Sequence, residues 1–139
     1  MRSPRAARVS LVLLAVSALS IGLVATVAPR SFYDDFPFFA HWVELLPPYN
    51  EHLVTDVGGL YLGFAVMLGF AAWTFERTLI RAVSCAWLLT SAIHLGFHAG
   101  HLDGFSTADA SAELASLAFL VVLPGIALWA AGVRKMASA

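Results

Sequence analysis

The chain has 139 residues, of which 60% are hydrophobic and only 12% charged, with a net charge of −1 at pH 7 and a mean hydropathy of +0.80. That balance excludes an ordinary water-soluble domain of this size and fits one membrane domain with short connections. A single cysteine, Cys85, excludes an intrachain disulfide and any cysteine-rich metal site.

Four apolar stretches, residues 10–28, 57–75, 79–99 and 113–132, each approach the roughly 20 residues that cross a bilayer core. They predict an all-α protein: an integral membrane, antiparallel four-helix bundle occupying residues 1–139 as a single domain. The first stretch follows a basic start, as a signal peptide would. It is nevertheless about as long as a full span, and Pro29 follows Ala28, the most plausible small-residue cleavage position, so the segment reads as an uncleaved anchor.

The first loop, residues 29–50, is long and aromatic. Phe38, Phe39, Trp42, Leu45 and Leu46 fall on one side of a helix drawn over residues 37–46, while His41 and Glu44 point elsewhere. The pattern predicts a short interfacial helix started by Pro37 and ended before Pro47 and Pro48, within an aromatic belt that adds Phe32, Tyr33, Phe36 and Tyr49. Asn50 is a good N-cap for a helix running from Glu51 into the second span. The second loop, residues 76–79, is short enough to make spans two and three antiparallel neighbours. The third, residues 102–112, offers Ser106, Thr107 and Asp109 as helix starters. Pro124 falls inside the fourth span, where it should bend the helix unless a neighbour satisfies the carbonyl it frees.

Charge sorts the connections by side. Arg2, Arg5, Arg8, Arg77, Arg81, Arg134 and Lys135 share the side of the N-terminus with the lone acid Glu76; Asp34, Asp35, Glu44, Glu51, Asp56, Asp103, Asp109 and Glu113 lie opposite with Arg30 and all five histidines. By the positive-inside rule both termini are cytoplasmic. The polarity suits an anionic inner leaflet at the basic side and argues against nucleic acid as a partner.

The chemistry-bearing residues cluster at the acidic side. His94, His98 and His101 lie within about 60° of arc on the third span at 100° per residue, and the stripe continues inward through Ser91, Thr90 and Trp87. Histidines inside a span are costly unless they face protein, so the stripe should point into the bundle. On the second span His52 and Asp56 share a face with Gly59 and Gly63, a small-xxx-small pair that would admit a neighbouring helix; Gly96 and Gly100 make a similar pair on the third. Antiparallel neighbours would then bring His52 and Asp56 to His98 and His101, with Glu113 and Ser116 opening the fourth span beside them.

Three readings of this constellation stand open. One is a hydrogen-bonded network in which Asp56 or Glu113 orients the histidines, making the protein a structural or ligand-binding membrane component. Another is a transition-metal site for Zn, Fe or Cu with His94, His98 and His101 as ligands and His52 or Asp56 completing the shell. It would serve a membrane oxidoreductase or hydrolase with Glu51 or Glu113 as catalytic acid or base. Haem fits less comfortably, because its axial ligands must approach opposite faces of one porphyrin. The third is a proton or small-solute pathway, against which the inner half offers little beyond Thr90, Ser91 and Ser17. A phosphate-binding glycine loop, a nucleophile elbow and an HExxH motif are all absent from the sequence.

With four spans, an aromatic first outer loop and the run Pro48-Tyr49-Asn50-Glu51-His52-Leu53 followed by Asp56-Val57-Gly58-Gly59, the chain resembles small bacterial four-helix membrane proteins. In general plan it is similar to the DoxX-like group and to uncharacterised actinobacterial integral membrane proteins. The resemblance implies a bundle in the bacterial plasma membrane, associated in some members with respiratory or redox systems. Its partners would be the lipid bilayer and a second copy or another membrane protein.

Overall fold

The computed structural model describes residues 3–46 and 48–132; Arg2, Pro47, Arg134 and Lys135, used above, lie outside the described residues. Five helices follow in order: α1 (Pro4–Val27), α2 (Pro29–Asp35), α3 (Glu51–Thr74), α4 (Arg77–Ala99) and α5 (Thr107–Ala131), with no strand among the described residues. Helices α1, α3, α4 and α5 are long and apolar enough to cross a membrane, so the chain is an all-α, multi-pass four-helix bundle. Large side chains such as Leu60, Leu89, Ile93, Phe119 and Val122 face outward, an arrangement suited to lipid rather than water.

The helices form a ring in the order α3, α1, α5, α4, with α1 packed extensively on both α3 and α5. The ring closes only sparsely between α3 and α4, mainly where Tyr61 and Phe64 set their rings edge-on to Trp87 at 5.8 and 5.3 Å between centroids. Leu11, Leu14, Ala18, Leu68, Ala71, Ile80, Val83, Trp87 and Leu123 make the core. The short connection after α3 does make α3 and α4 antiparallel neighbours, but it does not give them the tight seam expected from its length.

Local chemistry explains where the helices start and stop. Asn50 accepts from the Leu53 N–H (3.1 Å), Glu76 from Thr78 and Leu79, and Ser106 from Asp109, each satisfying donors that a helix start leaves unpaired. Arg81 donates to the carbonyl of Gly132 at 2.8 Å, bringing a cation to the end of α5 where the helix dipole is negative. Pro29 ends α1 and restarts the chain as α2, since it disfavours a helical conformation at Ala28, which takes φ −137° and ψ 61°, and suits a first helical position.

Residues 37–46 are turns, not the interfacial helix expected there. Phe38, Phe39 and His41 take positive φ values of 49°, 65° and 59°, incompatible with a right-handed helix. The short helix of the first long loop is instead α2, held by an Arg30–Asp34 ion pair of 2.7 Å one turn apart. Phe38 and Phe39 still project almost fully exposed, at 99% and 77%, as aromatic anchors would.

Pro124 does not break α5. Its missing N–H frees the carbonyl of Leu120, and the indole N–H of Trp87 donates to that carbonyl at 3.2 Å from across the α4–α5 seam. The bulky, 2%-exposed Trp87 is therefore both a packing centre and the substitute donor for the proline.

Candidate functional site at the distal end

Opposite the end that carries Pro4 and Ala131, α4 finishes and α5 begins side by side. His98, in the last turn of α4, places Nδ1 at 2.6 Å from Glu113 Oε1, two turns into α5, with side chains only 7% and 4% exposed. The contact is close, although ring and carboxylate are not aligned for a conventional hydrogen bond, and Glu113 Oε2 is buried without a partner. His94 sets its ring edge-on to His98 at 4.4 Å between centroids. His98 and Glu113 thus form a buried polar joint between two spans, with His94 at its margin.

The other sequence-derived candidates are not part of this joint. His101 stacks on Phe97 at 4.1 Å and donates from Nδ1 to the Phe97 carbonyl at 2.8 Å, so it is engaged within its own helix end and is exposed. Among the described residues His52 pairs with Asp56, at 3.2 Å, and the two side chains are 87% and 59% exposed. Glu51 is an exposed first-turn residue of α3. The expected meeting of His52 and Asp56 with His98 and His101 does not occur. Among the described residues no three His, Cys, Asp or Glu side chains are disposed to hold one metal ion.

The physical reason lies in one glycine. Gly58 is buried against α1, where an added Cβ would sit 2.5 Å from Thr26 Oγ1 and 2.8 Å from the Thr26 backbone nitrogen. Gly22 of α1 is equally tight, with 2.9 Å to Leu62. At about 100° per residue, fixing Gly58 toward α1 turns His52, Asp56, Gly59 and Gly63 roughly 100–160° away, while Tyr61 and Phe64 swing toward α4 on the other flank. The His52–Asp56 stripe therefore faces out of the bundle. Among the described residues, Gly59, Gly63 and Gly96 have open space where a Cβ would be, and Gly100 meets only its own helix, so neither expected glycine pair packs a described helix.

The long loop adds contacts that sequence reasoning missed. Trp42 donates from Nε1 to Asp109 Oδ1 at 3.3 Å, Tyr33 donates to the Glu44 carbonyl at 3.3 Å, and His41 contacts both the Asp34 carbonyl and Glu44. The hydrogen bond to Asp34 raises the pKa of the Arg30 guanidinium above its ordinary value, so this loop cation stays charged. Only the Trp42–Asp109 link had a visible signal: an aromatic in the first loop and a carboxylate at a helix start on the same side.

No family model, no curated protein and no solved structure matches the chain.

Proposed function

We propose that the chain is a non-catalytic component of a bacterial plasma membrane, oriented with both termini in the cytoplasm, whose His98–Glu113 joint locks its last two spans together. One observation carries the reading: a 2.6 Å imidazole–carboxylate contact sealed inside the bundle. A reaction centre needs a route for substrate, and these two groups are closed off, whereas a load borne between helices needs enclosure. Burying such a pair is costly, and removing one partner strands the other, so the pair holds the seam by the penalty of separating it. The charge asymmetry of the loops supports the orientation. Kinship with the DoxX-like group, and a second copy or another membrane protein as partner, belong to the same reading.

Two tests address it. Glu113→Gln keeps the shape and replaces the carboxyl by an amide; the lock reading expects loss of thermal stability in mild detergent with the helical content of the folded state intact. An impermeant amine reagent applied to intact cells should leave Lys135, the one lysine, unmodified; its modification contradicts the orientation.

The unpartnered Glu113 Oε2 beside His98, with His94 adjacent, favours a second reading in which a cation joins the cluster. Zn, Fe or Cu would find only His98 and Glu113 in place, since no three such side chains among the described residues are disposed to hold one ion, so the exposed His94 would have to turn toward the pair to complete a set in which Glu113 replaces His52 and Asp56. Elemental analysis of protein purified without chelator separates the two: stoichiometric metal that vanishes in His98→Ala replaces the lock with a metal centre and reopens an oxidoreductase or hydrolase role.

A further inference from the structure

A well-defined concavity of the described residues lies away from the histidines. It is a groove of about 620 Å³ along the outside of the α1–α3 seam, open along its length and almost wholly apolar. Small residues make it: Ala15 of α1 and Ala65, Gly69 and Ala72 of α3 form its floor, just beyond the tight Gly22–Gly58 crossing. It runs from Leu19 and Leu62 to Arg8 and Trp73.

Three features of the groove converge on one occupant. Its length follows from the eleven helical steps between Arg8 and Leu19, roughly 16 Å at 1.5 Å per residue, which matches one leaflet's share of a hydrocarbon core about 30 Å thick. Its only cation stands at one end: the Arg8 guanidinium lies over the Phe75 ring at 4.7 Å, and among the described residues it has no carboxylate partner. The nearest acid in sequence to that ring, Glu76, is occupied in capping α4. Trp73 flanks the same end at 77% exposure, one residue before the end of α3, and tryptophans at span ends sit beside headgroups. A guanidinium held by its face keeps its N–H edge for oxygens, and that edge matches phosphate.

We propose that this groove binds one anionic phospholipid, an acyl chain lying along the α1–α3 seam and the phosphate on Arg8. Apolar packing alone would accept any lipid, so the selectivity comes from the cation. One basic side chain near the surface supports about a fivefold preference for an anionic over a zwitterionic headgroup.

The test uses the full chain purified in mild detergent, titrated with phosphatidylglycerol, phosphatidylcholine or inorganic phosphate, and read by native mass spectrometry and by thermal melting. Expected is one phosphatidylglycerol retained, about fivefold more readily than phosphatidylcholine. Arg8→Gln should abolish the preference while leaving chain binding. Gly69→Phe, which enters open space, should weaken both lipids without lowering the lipid-free melting temperature. Equal retention of the two lipids by the wild type overturns the proposal, as does a preference that survives Arg8→Gln. Binding unaffected by Gly69→Phe would place the lipid elsewhere, and protection by inorganic phosphate equal to that by lipid would reduce the site to a free-anion contact; either result also overturns it.

Discussion

Besides the loop pair His41–Glu44, two histidine–carboxylate pairs sit on the helices near the distal end of the bundle, chemically alike and oppositely placed. His98 and Glu113 join two helices with 7% and 4% of their side chains exposed, whereas His52 and Asp56 join one turn of α3 to the next at 87% and 59%. The difference teaches that rotation of a helix about its own axis, rather than residue type or depth, decides which polar pair is structural. On α3 that rotation is set by Gly58 against α1; on α4 it is set by Trp87, which must face α5 to supply the donor that Pro124 withholds.

The contrast is open to several breaks, beginning with the most severe. Glu113→Ala leaves His98 buried and without its partner and empties space in the seam, and the unfolding free energy in detergent should fall by about 2–4 kcal/mol; a loss no greater than that of Asp56→Ala would erase the distinction between the pairs. Next comes the glycine that aims α3. Gly58→Val forces a side chain into Thr26 and should cost about 1–3 kcal/mol, while Gly59→Ala enters open space and should be neutral or slightly stabilising through its better helix propensity. Equal effects at the two positions would mean that α3 is turned differently.

Trp87→Phe probes the α4–α5 seam away from the His98–Glu113 joint. It strands the Leu120 carbonyl and should cost on the order of 1–3 kcal/mol beyond lost packing. Pro124→Ala restores an N–H four residues after Leu120, so the double variant should recover part of that loss; no recovery would remove the indole from its role as substitute donor. The smallest effect belongs to the exposed pair. His52→Ala or Asp56→Ala should change stability by less than about 1 kcal/mol, and a larger loss would show that this face is covered by something besides lipid.

Much of the architecture was legible in the sequence, and its limits are instructive. The spans could be read because length and hydropathy are one-dimensional, and Asn50 and Ser106 could be read as caps because capping is a local interaction. Glu113 is a candidate by its position opening the fourth span, but nothing in the sequence chooses between it and Asp56 as partner for His98. Adjacent glycines such as Gly58 and Gly59 satisfy the same small-residue pattern, yet about 100° separates their faces, and only tertiary packing selects one. Residues 37–46 failed as a helix for a related reason: an apolar periodicity existed there, but the backbone turns at Phe38, Phe39 and His41 override it.

A thermodynamic double-mutant cycle on both pairs, run in one detergent and one buffer, tests the central claim most directly. The buried lock predicts a coupling of about 2 kcal/mol between His98→Ala and Glu113→Ala, against less than roughly 0.5 kcal/mol between His52→Ala and Asp56→Ala. Additive losses at His98 and Glu113, or equal coupling in the two pairs, would contradict it.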